Sequence, residues 1–102
     1  MSFSEFNPKY GEDWPLTTNE MSKLDVNQNS LIAKLELSEL LGRLYSSNVI
    51  NMRQMNFISS KPDPESRTET LIDILRRRSL RDYRQMISCL HISKQSHLAV
   101  LL

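Results

Sequence analysis

Glycine is scarce in this chain, which holds only Gly11 and Gly42 among its 102 residues. Two of its four prolines, Pro8 and Pro15, lie close to the N-terminus. An all-β domain of this length needs a turn roughly every 8–12 residues, and many of those turns use glycine or proline. The sequence therefore disfavours an all-β domain. It also disfavours a disulfide scaffold, because Cys89 is the only cysteine.

The length is enough for one compact domain but not for two. No uninterrupted apolar run approaches the roughly 20 residues of a membrane-spanning helix, and none has the form of a signal-peptide core. A single unpaired cysteine fits a reducing compartment best. We therefore expect one domain without a membrane span.

Apolar residues recur at helical spacing from Met21 onward. The spacing predicts six helices, which start near Met21, Leu37, Asn51, Asp63, Ser79 and Ser93. A polar run at 25–30 predicts that the first helix is bent or broken. Because the connections are short, we predict an all-α fold, a six-helix antiparallel bundle. Its predicted core contains Leu40, Leu44, Leu71, Leu75, Ile87, Leu90 and Leu98.

The first eighteen residues show no helical period. We predict that residues 1–18 form an N-terminal arm and that residues 19–102 form the helical domain. The arm carries four aromatic residues that can pin it to the domain, namely Phe3, Phe6, Tyr10 and Trp14. The alternative is that one or two of them simply cover an apolar edge.

Nothing in the sequence has the pattern of a catalytic, metal or cofactor site. Catalysis needs a reactive group with an orienting partner, and Cys89 and His91 are predicted to lie within and at the end of one helix. His91 and His97 have no further ligand at a spacing typical of zinc sites. Both glycines stand alone, so there is no phosphate-binding loop. We predict no enzyme activity, no cofactor and no small-molecule substrate.

The charge distribution is more informative than the net charge of +1. Residues 76–84 hold five arginines and one aspartate, Asp82. We predict that Arg76, Arg77 and Arg81 form an exposed cationic corner and that Arg78 lays its stem on the core. The cluster is interpreted as a protein-docking patch. The alternatives are a solvated helix end and a nucleic-acid-binding surface, the latter disfavoured by the low net charge.

Several segments together resemble the caspase recruitment domain (CARD) of the death-fold superfamily. The resemblance covers about residues 21–102 and is carried by LYSSNVI (44–50), TLIDILRRRS (70–79), YRQMISCL (83–90) and QSHLAVLL (95–102). The last two segments are most similar to initiator-caspase prodomains, and NVIN (48–51) is similar to the CARD of inhibitor-of-apoptosis proteins.

The resemblance implies a Greek-key six-helix bundle whose first helix is often bent. It also implies homotypic CARD–CARD association in cytoplasmic apoptotic or inflammatory signalling, with no catalysis in the domain. A further expectation is that the domain is the N-terminal part of a longer protein, such as an initiator caspase. The runner-up function is a small basic helical nucleic-acid-binding domain.

Two departures from the family pattern affect the predicted site. Ser79 stands where the family commonly has glycine. The fourth helix begins with acidic residues, although the resemblance implies a basic surface on that helix. We therefore do not carry over the family's contact and predict that the partner-binding site is the basic cluster of Arg76, Arg77, Arg78 and Arg81. The alternative partner-binding surface is the acidic face of Glu65, Glu69 and Asp73.

Overall fold

The computed structural model describes residues 14–102, and within this range the chain forms six α-helices and no β-strand. The helices are α1 (Thr18–Lys34), α2 (Leu37–Ser46), α3 (Met52–Ser59), α4 (Pro64–Arg76), α5 (Leu80–Ile92) and α6 (Ser96–Ala99). The predicted all-α, six-helix fold is confirmed. α1 packs against α4 and α2 packs against α5, so helices that are three apart in the chain are neighbours in space.

The sequence predicts a first helix that is bent or broken; the structure has one continuous helix over Thr18–Lys34, so it is not broken. Its N-terminus is fixed by a capping box in which the Glu20 carboxylate accepts a hydrogen bond from the Thr17 backbone N–H at 2.8 Å. The polar run at 25–30 lies between Leu24 and Leu31, which are both buried and two turns apart. Because these leucines supply the core contacts on either side, the polar residues do not have to enter the core and the helix continues through them.

The predicted arm falls mostly outside the described residues, and so do Phe3, Phe6 and Tyr10. Its described part runs beside the start of α5, where Pro15 pairs with Ser79 in an isolated antiparallel bridge. The division of the chain between residues 18 and 19 stays a prediction.

Six of the seven predicted core residues are buried, namely Leu40, Leu44, Leu71, Leu75, Leu90 and Leu98. Ile87 is only half-buried at the edge of the core. The buried face of α5 is centred on Tyr83, Met86 and Leu90, which leaves Ile87 about 100° to one side of Met86. The predicted phases of α4 and α5 are both correct, and Ile87 lies at the edge of the buried face of α5.

Gln95, the N-cap of α6, joins the connection between α1 and α2 to the connection between α5 and α6. Its amide oxygen accepts from the Glu36 backbone N–H, and its amide nitrogen donates to the Glu36 carbonyl, both at 2.9 Å. α6 starts at Ser96 and not near Ser93 as predicted. Ser93 is instead the C-cap of α5, and its hydroxyl donates to the Cys89 carbonyl at 2.8 Å.

The last turn of the described chain is fastened to α1 and α5. The Lys23 ammonium and the Tyr83 hydroxyl both donate to the Leu102 carbonyl at 3.1 Å. The Asn27 side chain donates to the Leu101 carbonyl at 3.0 Å. Burial raises the pKa of Tyr83 to about 12, so the hydroxyl keeps the proton that it donates.

Candidate functional site

A three-residue connection joins α4 to α5 and concentrates the arginines. The C-cap of α4 is Arg77, and the N-cap of α5 is Ser79, whose hydroxyl accepts from the Asp82 backbone N–H at 3.3 Å. Ser79 has an extended backbone (φ −81°, ψ 167°) and does not need the left-handed conformation that glycine tolerates. Serine therefore causes no backbone strain where the family commonly has glycine.

Arg76 is not part of an exposed cationic corner, which corrects the prediction. Its Nη1 lies 2.5 Å from Asp25 Oδ1, and its Nη2 donates to Gln28 Oε1 at 3.0 Å. Only 21% of its side chain is exposed. Arg76 therefore joins α4 to α1. The packing of α1 on α4 is the physical reason, because it turns the flank of α4 into an inter-helix contact.

Arg78 is half-buried, as predicted, and it is paired with a buried carboxylate, that of Asp82. Arg78 Nε donates to Asp82 Oδ2 at 2.9 Å, and only 9% of the Asp82 side chain is exposed. The Ser79 hydroxyl caps α5, but the Asp82 carboxylate forms this ion pair and does not bond back to the Ser79 backbone, so the capping box is only half formed. Asp82 is thus occupied by Arg78 within the domain.

Three arginines remain exposed around the turn, namely Arg77, Arg81 and Arg84. Within residues 14–102 none of them forms an ion pair. We call these three residues the basic corner. Arg84 was not among the predicted site residues, although its i+3 spacing from Arg81 places it on the same exposed side of α5.

The acidic residues predicted for the site lie on α4. Glu65, Glu69 and Asp73 recur at every fourth position and are all exposed. None of them forms an ion pair within the described part of the chain. We call them the acidic stripe. The structure thus places the acidic stripe along α4 and the basic corner beyond its C-terminal end, with Asp73 of the stripe one helical turn before Arg77 of the corner.

The segment before α1 borders the basic corner. The Trp14 carbonyl accepts a hydrogen bond from the Leu80 backbone N–H at 2.8 Å, next to the bridge between Pro15 and Ser79. The Trp14 side chain is 56% exposed. A shallow cleft beside it is lined by Pro15, Arg77, Arg78, Ser79 and Asp82.

The candidate reactive groups lie elsewhere and have structural contacts. Cys89 is 1% exposed and belongs to the core cluster. His91 Nδ1 lies 2.8 Å from Ser96 Oγ. In the part of the chain that the structure describes, no group of three His, Cys, Asp or Glu residues is placed to hold a metal ion. Among the same residues, no helix is long and apolar enough to cross a membrane.

The model of the caspase recruitment domain family matches residues 21–102, which include all six helices except the first residues of α1. No curated protein and no solved structure gives a significant match.

Proposed function

The chain belongs to the caspase recruitment domain family, and we propose that it binds a second domain of that family through its basic corner. Members of the family are non-catalytic protein-interaction domains, so the chain itself is an interaction module. We further propose that it recruits its partner in cytoplasmic apoptotic or inflammatory signalling, as the family resemblance implies.

The proposal depends on one observation: some arginines of the cluster are paired with carboxylates inside the domain, and the others are exposed and unpaired among the described residues. Arg76 and Arg78 are half-buried and paired with Asp25 and Asp82. The arginines of the basic corner are exposed and have no ion-pair partner within residues 14–102. The guanidinium groups of the corner are therefore available to a carboxylate on another molecule, with which arginine forms bidentate hydrogen bonds.

The energetics favour a protein partner with an acidic surface. An ion pair that stays in water contributes less than about 1 kcal/mol. A charge pair that is desolvated inside an interface loses about 2–5 kcal/mol when one partner is truncated. The basic corner therefore contributes most to the free energy of binding when an acidic surface of the partner covers it. The acidic stripe offers a second surface that can bind a basic region of a partner.

The test is a binding assay with purified CARDs, including this chain itself, at physiological salt. We expect Arg77→Glu combined with Arg81→Glu to abolish capture while circular dichroism and the melting temperature stay near wild type. The matched control is Lys34→Glu with Arg53→Glu, which reverses two exposed cations at equivalent places. Lys34 is the last residue of α1 and Arg77 is the C-cap that follows the last residue of α4, so both lie at a helix C-terminus. Arg53 is the second residue of α3 as Arg81 is of α5.

Two results would contradict the proposal. Capture that survives the reversal of Arg77 and Arg81 would move the site to the acidic stripe. Tight binding of duplex DNA or RNA to the wild type at the same salt, without capture of any CARD, would favour the nucleic-acid-binding alternative.

A further inference from the structure

Trp14 is held at the edge of the basic corner by its own backbone. Its carbonyl is bonded to the Leu80 backbone N–H at 2.8 Å, and the next residue along the chain pairs with Ser79. Leu80 immediately precedes Arg81, so the exposed indole and the exposed guanidinium belong to neighbouring backbone segments. These backbone contacts hold the segment against the start of α5, which lowers the entropy that it loses when a partner binds.

The combination of tryptophan and arginine is typical of the residues that dominate binding energy in protein interfaces. Tryptophan offers a large contact area with only two side-chain torsions, and both residue types are enriched in hot spots. Trp14 is 56% exposed, its carbonyl is bonded to the residue before Arg81, and the next residue, Pro15, lines a cleft together with Arg77. Neither arginine has an ion pair within residues 14–102. An indole in this position adds apolar contact area to a surface that otherwise offers only charge.

The start of α4 on the same chain has a surface that is complementary to Trp14 and the exposed arginines. Pro62 and Pro64 are exposed; Pro64 directly precedes Glu65, the first residue of the acidic stripe, and Pro62 lies two residues before Pro64. Glu69 follows one turn later, about 6 Å along the helix axis. Proline rings pack well on exposed aromatic side chains, as in proteins that recognise proline-rich segments. The start of α4 therefore offers apolar rings next to carboxylates, as the basic corner offers an indole next to guanidinium groups.

We propose that Trp14 is the aromatic anchor of the basic corner in a contact between two copies of this chain. In this contact Trp14 packs on Pro62 and Pro64 of the second copy, while Arg77 and Arg81 pair with Glu65 and Glu69 of that copy. The proposal rests on the proposed function and adds to it a partner and a specificity-determining residue. Charge complementarity between the basic corner and the acidic stripe selects the second copy as the occupant.

The contact joins two different surfaces, so each copy keeps one surface free for further association. Open-ended assembly is prevented by two variants of the full chain, each of which keeps only one of the two surfaces. The reporter copy has a neutralised acidic stripe (Glu65→Gln, Glu69→Gln, Asp73→Asn) and keeps Trp14 and the basic corner. The silent copy carries Trp14→Phe, Arg77→Glu and Arg81→Glu, and keeps both prolines and the stripe.

Trp14 is the only tryptophan of the chain, so the emission of the mixture comes from the reporter copy alone. Addition of the silent copy is expected to form a 1:1 complex, shift the emission to shorter wavelength and reduce quenching by acrylamide about twofold or more. Trp14→Ala in the reporter is expected to weaken the complex, measured by sedimentation, about tenfold or more. Pro62→Ala with Pro64→Ala in the silent copy is expected to weaken it similarly.

The matched control is Ile92→Ala in the reporter, which is expected to leave the affinity unchanged. Ile92 is also 56% exposed but lies at the opposite end of α5 from Leu80. Circular dichroism of every variant verifies that the fold is intact.

Three results would overturn the inference. A 1:1 complex with unchanged emission and unchanged affinity of Trp14→Ala would place Trp14 outside the contact, while the proposed function would stand. Low acrylamide quenching of the reporter alone would mean that another part of the same chain already covers Trp14. No complex at all would exclude the second copy as occupant, and capture of other CARDs would still decide the proposed function separately.

Discussion

Arg78 is expected to be a structural residue, unlike its neighbour Arg77, and replacement by methionine tests this. Arg78→Met keeps an apolar stem but leaves the Asp82 carboxylate, whose side chain is only 9% exposed, without the cation that now lies 2.9 Å away. Removal of one partner from a fully buried ion pair costs about 3–5 kcal/mol. Because 31% of the Arg78 side chain is exposed, water screens part of the interaction, and we expect a loss of about 1–3 kcal/mol.

Urea denaturation followed by circular dichroism measures the free energy of unfolding. For a domain of this size, each 1 kcal/mol lowers the melting temperature by about 4–8 °C. The control is Arg77→Met, which changes an exposed arginine and is expected to alter stability by less than about 0.5 kcal/mol. Adding Asp82→Asn to Arg78→Met removes the buried charge, so it should recover part of the loss.

An equal effect of Arg78→Met and Arg77→Met would refute the reasoning, since the pair with Asp82 would then contribute nothing. A loss that Asp82→Asn does not relieve would show that packing of the Arg78 stem matters, and not the charge of the buried carboxylate.

Two further predictions concern the stability of α4. Leu75 is 1% exposed, so Leu75→Ala should lower the free energy of unfolding in urea by about 2–5 kcal/mol, and a loss below about 1 kcal/mol would contradict the burial of this side chain. The Ser66 backbone N–H, which donates to Asp63 Oδ1 at 2.7 Å, lowers the pKa of Asp63 from its ordinary value. A carboxyl group with a lowered folded-state pKa stabilises the fold above its unfolded-state pKa, and this contribution is lost as the pH falls through the folded-state value. Asp63→Asn should therefore make the melting temperature less dependent on pH below about pH 4 than in the wild type, and equal acid dependence of the two proteins would count against the cap.

The features that could be predicted from the sequence depend on spacing within one helix. The burial of Leu71 and Leu75 and the cap at Asp63 follow from contacts between residues three or four positions apart. The same local reasoning found the exposed Arg77 and Arg81, because their positions on their own helices determine their exposure.

The features that could not be predicted depend on contacts between helices. Arg76 lies on the flank of α4 by spacing alone, but α1 packs there and brings Asp25 and Gln28 to its guanidinium group. The pairing of Gln95 with Glu36 likewise joins residues 59 positions apart. Trp14 was predicted to pin the N-terminal arm, but its position beside the basic corner depends on the bond to Leu80. Only the three-dimensional arrangement of the helices reveals such contacts.

The hydrogen bonds at Leu101 and Leu102 have a consequence for how the domain opens. The end of a small domain usually frays at almost no cost in free energy. Here the carbonyls of the last turn accept hydrogen bonds from Lys23 and Asn27 of α1 and from Tyr83 of α5. Detachment of Leu101 and Leu102, which follow α6, therefore breaks hydrogen bonds with both α1 and α5. We expect hydrogen exchange to show that the amide hydrogens of 98–102 open together with those of α1, at a higher free energy than a frayed end.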